Sequence, residues 1–203
     1  MCLKGFVNIL KKSKFIDRVE EYLKDVLPNG RFEHTIRVGK LAKELADHYK
    51  VNVDQAYLAG IMHDIAKKRE DDLLKVYDIS GIFPKEDWEK FRPILHSPLG
   101  YFEAKEVFKV EDEDILNAIL YHTTGRPNMS TLEKIIYIAD ACEPGREGKN
   151  IEEIRQMAFS DLDKAMIMTM DMGLKKCLCR ERVIHPLTVD ARNYYLQKGV
   201  DFE

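Results

Sequence analysis

The sequence predicts an all-α protein, and three observations carry the prediction. Apolar residues recur at three- and four-residue steps along nearly all of the 203-residue chain, the period of a helix face. Helix-start signals stand ahead of several of these runs, chief among them Ser130-Thr131-Leu132-Glu133, which has the pattern of a capping box. No segment combines sustained two-residue alternation with β-branched residues and hairpin turns.

A first helical stretch covers about 3–26. Phe32, Ile36, Gly39, Ala42, Leu45 and Tyr49 share one face of an amphipathic helix from about 31 to 49. From Gln55 to Ala66 the chain is apolar nearly all round, which marks a central helix covered by others. A helical stretch follows over about 69–77. Ser97-Pro98 reads as an N-cap with proline at the first helical position, opening a helix that runs to about Lys109. Ile115, Ala118, Ile119 and His122 lie on one face of a short helix ended by Thr123-Thr124-Gly125, and the capping box launches Leu132 to Cys142. Further helices are expected over about 151–158, 160–178 and 187–197. Segments 78–86 and 143–150 hold most of the turn chemistry and read as loops. With no repeat and no linker, residues 1–203 form a single domain, its core at about 15–197 and a short helical extension at 1–14.

The composition is that of a globular protein, 45% hydrophobic and 33% charged, which excludes intrinsic disorder. With 32 basic and 35 acidic residues the net charge is −3, so no global field favours a nucleic acid polymer or an anionic membrane. No apolar run approaches the roughly 20 residues that span a bilayer, and the N-terminus lacks the cleavage site of a signal peptide. Cys2, Cys142, Cys177 and Cys179 form no zinc-hook spacing and read as reduced thiols. The expected location is the cytoplasm.

Among the six histidines, His63-Asp64 closes the central helix, where every preceding neighbour is apolar. The dipeptide alone is a weak signal, but a buried carboxylate and imidazole need partners. Asp140 interrupts the apolar run Ile135-Ile136-Tyr137-Ile138-Ala139-Asp140-Ala141-Cys142 and raises the same problem. His34, His96 and His122 stand at or near the ends of three further helices. Singly, each is more often a satisfied core or capping residue than a ligand. Jointly, four imidazoles and two carboxylates on five helical elements can hold two divalent ions, with one carboxylate bridging.

The order His, His-Asp, Asp resembles the HD-domain metal phosphohydrolases, an all-helical superfamily, and the two intervening histidines resemble its dinuclear branch. The segments RFEHTIRV (31–38), LAGIMHDIAK (58–67), LHSPLG (95–100), YHTTGRPNMS (121–130), IIYIADACEPGR (135–146) and RVIHP (182–186) are similar to the YqeK-type symmetrical bis(5′-nucleosyl)-tetraphosphatases over about 15–197. The resemblance implies cleavage of diadenosine tetraphosphate to two ADP by water activated at two divalent ions. Iron is the implied metal, with Mn, Co, Ni and Zn also suited to the donors. It places His34, His63, Asp64 and Asp140 on one ion and His96 and His122 on the other, with Asp64 shared. The ligand is a dinucleoside polyphosphate or nucleoside diphosphate, and a homodimer is admitted.

Beyond the ligands each candidate has two readings. Lys67 meets phosphate or is solvated in Lys67-Lys68-Arg69. Thr123, Thr124, Gly125 and Arg126 cradle phosphate, with Lys67 and Arg126 stabilising charge during catalysis, or they are a helix end with a surface arginine. Glu143 and Arg146 reach the substrate or pair with each other, and Arg31 meets the same phosphates or does not. Arg182 and His185 contact a nucleotide, or His185 only caps the last helix. The rival functions are another HD phosphohydrolase (a nucleoside 5′-phosphatase or a cyclic-nucleotide phosphodiesterase) and a non-catalytic nucleotide-binding module.

Overall fold

The structure, a computed structural model, describes residues 3–199, with side chains described from residue 14 onward. Met1, Cys2 and residues 200–203 lie outside the described residues, so the expectations for Cys2 and for the side chains of the extension cannot be followed there. Among the described residues ten α-helices follow in order: α1 (Leu3–Val26), α2 (Asn29–His48), α3 (Val53–Met62), α4 (Glu70–Leu73), α5 (His96–Glu106), α6 (Glu113–Tyr121), α7 (Thr131–Cys142), α8 (Lys149–Ala158), α9 (Leu162–Cys179) and α10 (Pro186–Gln197). No strand occurs among the described residues, and no helix is long and apolar enough to cross a membrane.

Local chemistry sets most helix starts. Asn52, Asp112 and Asp161 each accept backbone N–H bonds at the head of α3, α6 and α9, satisfying donors that the helix itself leaves unpaired. Ser130 and Glu133 form the expected capping box of α7. The start of α5 differs from expectation. The helix begins at His96, its cap position is Leu95 with no side-chain bond, and the Ser97 hydroxyl instead meets Thr123 Oγ1 at 2.8 Å. The short 3₁₀ turn at Arg92–Ile94 feeds directly into α5, so no serine cap is required. The helix expected over about 69–77 is only the single turn α4. Beyond it the chain turns so that Ile79 and Phe83 reach a second apolar cluster with Ala66, Leu73, Phe91, Leu95 and Leu99.

The main core is centred on α3 and α7. Ala56, Ala59, Ile61 and Met62 of α3 and Ile135, Ile136, Ile138 and Ala139 of α7 are inaccessible to solvent, and α2, α6, α8 and α9 pack around them. Helices α2 and α3 approach very closely where Gly39 faces Gly60: a Cβ on Gly60 would lie 2.7 Å from Gly39 Cα. That contact sets how near the His34 turn of α2 comes to the His63 end of α3.

Gly60→Ala is therefore expected to force α2 and α3 apart and destabilise the protein by about 1–3 kcal/mol, the usual cost of overpacking. Gly173→Ala, on the exposed side of α9 with nothing near its added Cβ, is expected to stabilise by about 0.5–1 kcal/mol. Denaturant unfolding of the two variants checks both signs.

Candidate metal centre

Six polar side chains converge where five helical elements end or meet. His34 lies in the second turn of α2, His63 caps the C-terminus of α3 and Asp64 follows it. His96 opens α5, His122 caps the end of α6, and Asp140 stands two residues before the end of α7. Asp64 is the pivot. Its Oδ1 lies 3.2 Å from His96 Nε2 and 3.7 Å from His122 Nε2. Its Oδ2 lies 3.5 Å from His63 Nε2 and 4.0 Å from His34 Nε2. Asp140 Oδ1 stands 3.0 Å from His34 Nε2 and 3.6 Å from His63 Nε2. Donor atoms of His34, His63 and Asp64, and again of Asp64, His96 and His122, fall within 4.8 Å of one another.

The imidazole rings are aimed from behind. His63 Nδ1 meets the Gly60 carbonyl at 2.7 Å and His122 Nδ1 the Ile119 carbonyl at 2.7 Å. His34 Nδ1 meets Glu143 Oε1 at 3.1 Å. Each contact is satisfied by an Nδ1–H donor and leaves the Nε2 lone pair facing the cluster, as metal-binding histidines require. His63 Nε2 is the most telling atom: it is buried and has no hydrogen-bond partner. A nitrogen lone pair orphaned in this way among carboxylates is what a divalent cation satisfies, so the donor set fits a metal.

The charges agree. Burial opposes ionisation of Asp64 and Asp140, yet the surrounding imidazoles hold both carboxyls well below the usual range. Burial would likewise depress His63, but Asp64 and Asp140 outweigh it and raise the ring to about 10. His96 is pushed down to about 4, mainly by burial. The cluster thus has two ionised carboxylates that attract positive charge, whether a proton or a metal ion.

Three cations border this centre. Arg31 donates to Asp64 Oδ2 at 2.7 Å and Arg146 to Asp140 Oδ1 at 3.3 Å. Lys67 Nζ lies 2.9 Å from His96 Nδ1 and donates to the Pro93 carbonyl at 3.3 Å, and burial pulls its ammonium below the ordinary value.

Other expected positions are placed differently. Glu143 neither faces outward nor pairs with the Arg146 side chain. It is 2% exposed and binds His34 and Arg37, the latter through Nε at 2.6 Å, so it orients a ring of the centre. Arg126 forms a two-pronged pair with the fully buried Glu133, at 2.6 and 2.9 Å. A buried carboxylate without a counter-charge is costly, and Arg126 is the one that meets it, a partner the expectation of a phosphate contact did not include. The Thr123 hydroxyl is shared with Ser97. Gly125 adopts φ +66°, and a Cβ there would lie 2.7 Å from Met170 Cε, so it serves the turn that leads away from His122.

Beside the centre lies a cavity of about 530 Å³, between the 89–94 segment and the 173–188 segment. Thr123, Thr124 and Tyr137 line it, as do Phe91, Arg182 and His185. His185 caps the last helix and also lines the cavity. Its Nδ1 accepts the Leu187 N–H at 3.2 Å, capping α10, while its ring stacks on Phe83 and meets Phe91 edge-on. Arg182 is set by a tight helix end, its N–H bonded to the Cys177 carbonyl at 2.9 Å with Glu181 left-handed. Sequence reasoning missed Arg37, which supports Glu143, and Arg155, which holds the 143–146 turn through three carbonyls. Only the spacing of Arg37 one turn after His34 hinted at either.

Glu143→Ala is expected to weaken metal retention at the His34 side about 10- to 100-fold, the usual effect of losing a carboxylate behind a ligand histidine. Elemental analysis during chelator titration measures it. Arg126→Ala is expected to leave retention unchanged but to destabilise the fold by on the order of 3 kcal/mol, because Glu133 stays buried without its partner. An unfolding midpoint equal to wild type would return Arg126 to the substrate site.

The HD-domain family profile matches residues 31–145. The chain is 36% identical over 176 residues to the symmetrical bis(5′-nucleosyl)-tetraphosphatase of Halalkalibacterium halodurans, covering 87% of this chain and 94% of that one. It is 34% identical over 184 residues to the protein of the same description from Staphylococcus aureus, covering 89% and 94%. A crystal structure from Clostridium acetobutylicum, described as a predicted HD superfamily hydrolase involved in NAD metabolism, matches with a TM-score of 0.86 at 39% identity, over 91% of this chain and 98% of that one. The chain belongs to the HD-domain family and, within it, to the symmetrical bis(5′-nucleosyl)-tetraphosphatases.

Proposed function

We propose that the protein hydrolyses diadenosine tetraphosphate symmetrically, releasing two ADP. The observation that carries the reading is the two-faced Asp64 carboxylate, each oxygen of which meets two imidazoles; the relatives described as symmetrical tetraphosphatases point to the substrate. His34, His63, Asp64 and Asp140 would hold one divalent ion, and Asp64, His96 and His122 a second. Iron is the metal the resemblance implies, and Mn, Co, Ni or Zn suit the same donors. Such ions polarise phosphoryl oxygens and lower the pKa of water toward neutrality.

The chain's own groups bind and orient the substrate. Arg31, Lys67 and Arg146 ring the centre and donate to phosphate oxygens, Lys67 offsetting the charge that grows on the departing diphosphate. Thr123, Thr124 and Gly125 form the edge between centre and cavity. The cavity, within the roughly 300–1,000 Å³ typical of ligand sites, takes the nucleoside, with Arg182 and His185 on its wall. A nucleoside and two phosphates then fill the distance from cavity to centre and put the second phosphorus at Asp64. Cleavage there releases ADP, and by the substrate's symmetry the remainder is ADP too. The free thiols at Cys142, Cys177 and Cys179 support a cytoplasmic setting.

Chromatography of the products from diadenosine tetraphosphate is expected to show ADP alone, two per substrate, with ¹⁸O from labelled water in one of them. Equimolar ATP and AMP would overturn the symmetrical reading, and brisk phosphate release from a mononucleotide without turnover of the tetraphosphate would favour another HD phosphohydrolase. Lys67→Ala is expected to lower kcat/KM about 10- to 1,000-fold while metal content holds.

A further inference from the structure

Two side chains in the cavity wall are largely buried, yet their hydroxyls are unused by the protein and open onto the cavity. Tyr137 is 7% exposed and Thr124 6%, both line the cavity, and neither hydroxyl has a hydrogen-bond partner among the described residues. A hydroxyl that opens onto a cavity with no protein partner can donate to or accept from whatever fills that cavity. Thr124 was anticipated from its position after His122. Tyr137 stood in the sequence only as part of an apolar run.

Their position says which part of a nucleotide they meet. Tyr137 lies one helical turn before Asp140 on α7, and its ring passes 3.5 Å from where a Gly125 Cβ would stand. Thr124 lies two residues after His122. Both are therefore at the end of the cavity nearest the metal centre. The rest of the wall is largely apolar or aromatic, with Phe91, Ile94, Leu174 and Ile184, a surface suited to a base. Phosphates lie over the centre and the base lies among the apolar groups, so the sugar passes between them, beside the two hydroxyls.

We propose that the Tyr137 hydroxyl is a specificity determinant that hydrogen bonds a sugar hydroxyl of the bound nucleotide. The inference rests on the nucleotide-hydrolase reading above. It has a consequence that a structural tyrosine would not share: because no protein group uses the hydroxyl, removing it spares or improves the free fold while harming binding.

The test is calorimetric titration of metal-loaded wild type and Tyr137→Phe with ADP, 2′-deoxy-ADP and 3′-deoxy-ADP, together with thermal unfolding of both proteins free of nucleotide. The variant is expected to melt at or above the wild-type temperature and to bind ADP about 3- to 10-fold more weakly, the worth of one neutral hydrogen bond. One deoxy analogue is expected to bind wild type and variant equally. An equal loss across all three nucleotides, no loss with any, or a lowered melting temperature would overturn the proposal. Diadenosine tetraphosphate turnover by the same wild-type preparation separates the two readings. The expected titration pattern without turnover would refute the tetraphosphatase function and leave the sugar contact standing, whereas wild type that fails to bind ADP would refute both.

Discussion

Asp64 carries a negative charge into a site almost closed to solvent, and the surrounding architecture is arranged to meet that charge. An isolated carboxylate there would lose several kcal/mol of hydration. Its two oxygens instead look in opposite directions, each toward a pair of imidazoles, and Arg31 closes the outer side. Four rings can surround one carboxylate only where several helix ends meet. The close approach of α2 to α3, the short α6 and the early start of α5 all serve that meeting.

The same logic extends outward by one layer. A ligand nitrogen is useful only if its ring cannot swivel, and the groups behind the rings prevent that. Two are backbone carbonyls in the last turns of α3 and α6, where helices leave acceptors unpaired in any case. The third is Glu143, itself held by Arg37 and by the Gly145 N–H. Arg155, in turn, ties the turn bearing Glu143 to α8. The polar site is thus supported by a second layer of groups behind the rings that face it.

The cavity beside the centre is built from the irregular parts of the chain. The segment between α4 and α5 has too few helical residues to pack by helix faces and forms its own small apolar cluster instead. The stretch after α9 turns back through a left-handed residue. His185 fastens the two by stacking on Phe83 and meeting Phe91, which leaves a cavity between them. Rigid helix ends position the charge, and loops shape the space for the variable part of a ligand, a common division of labour.

Much of this was legible in the amino-acid order alone. Helical periodicity, the Ser130 capping box and the all-round apolar α3 follow from local propensity and burial, which act over a few residues. The six candidate ligands stood out because a histidine or aspartate in an apolar run has to be compensated. Tertiary structure decided how each polar group is compensated, because a side chain's partner is set by whichever group from another element lies within about 3 Å. Arg126 and Glu143 look alike from the sequence, each following a candidate ligand, yet Arg126 is drawn to a buried Glu133 and Glu143 to the back of His34. Ser97 reads as a cap and is a partner of Thr123. Tyr137 reads as core, and only the packing of α7 against the 173–188 segment leaves its hydroxyl facing open space. The sequence alone determined the helices and which residues carry charge into the core. The choice among competing partners for those charges depended on distances between segments far apart in the chain, and only the folded protein sets those.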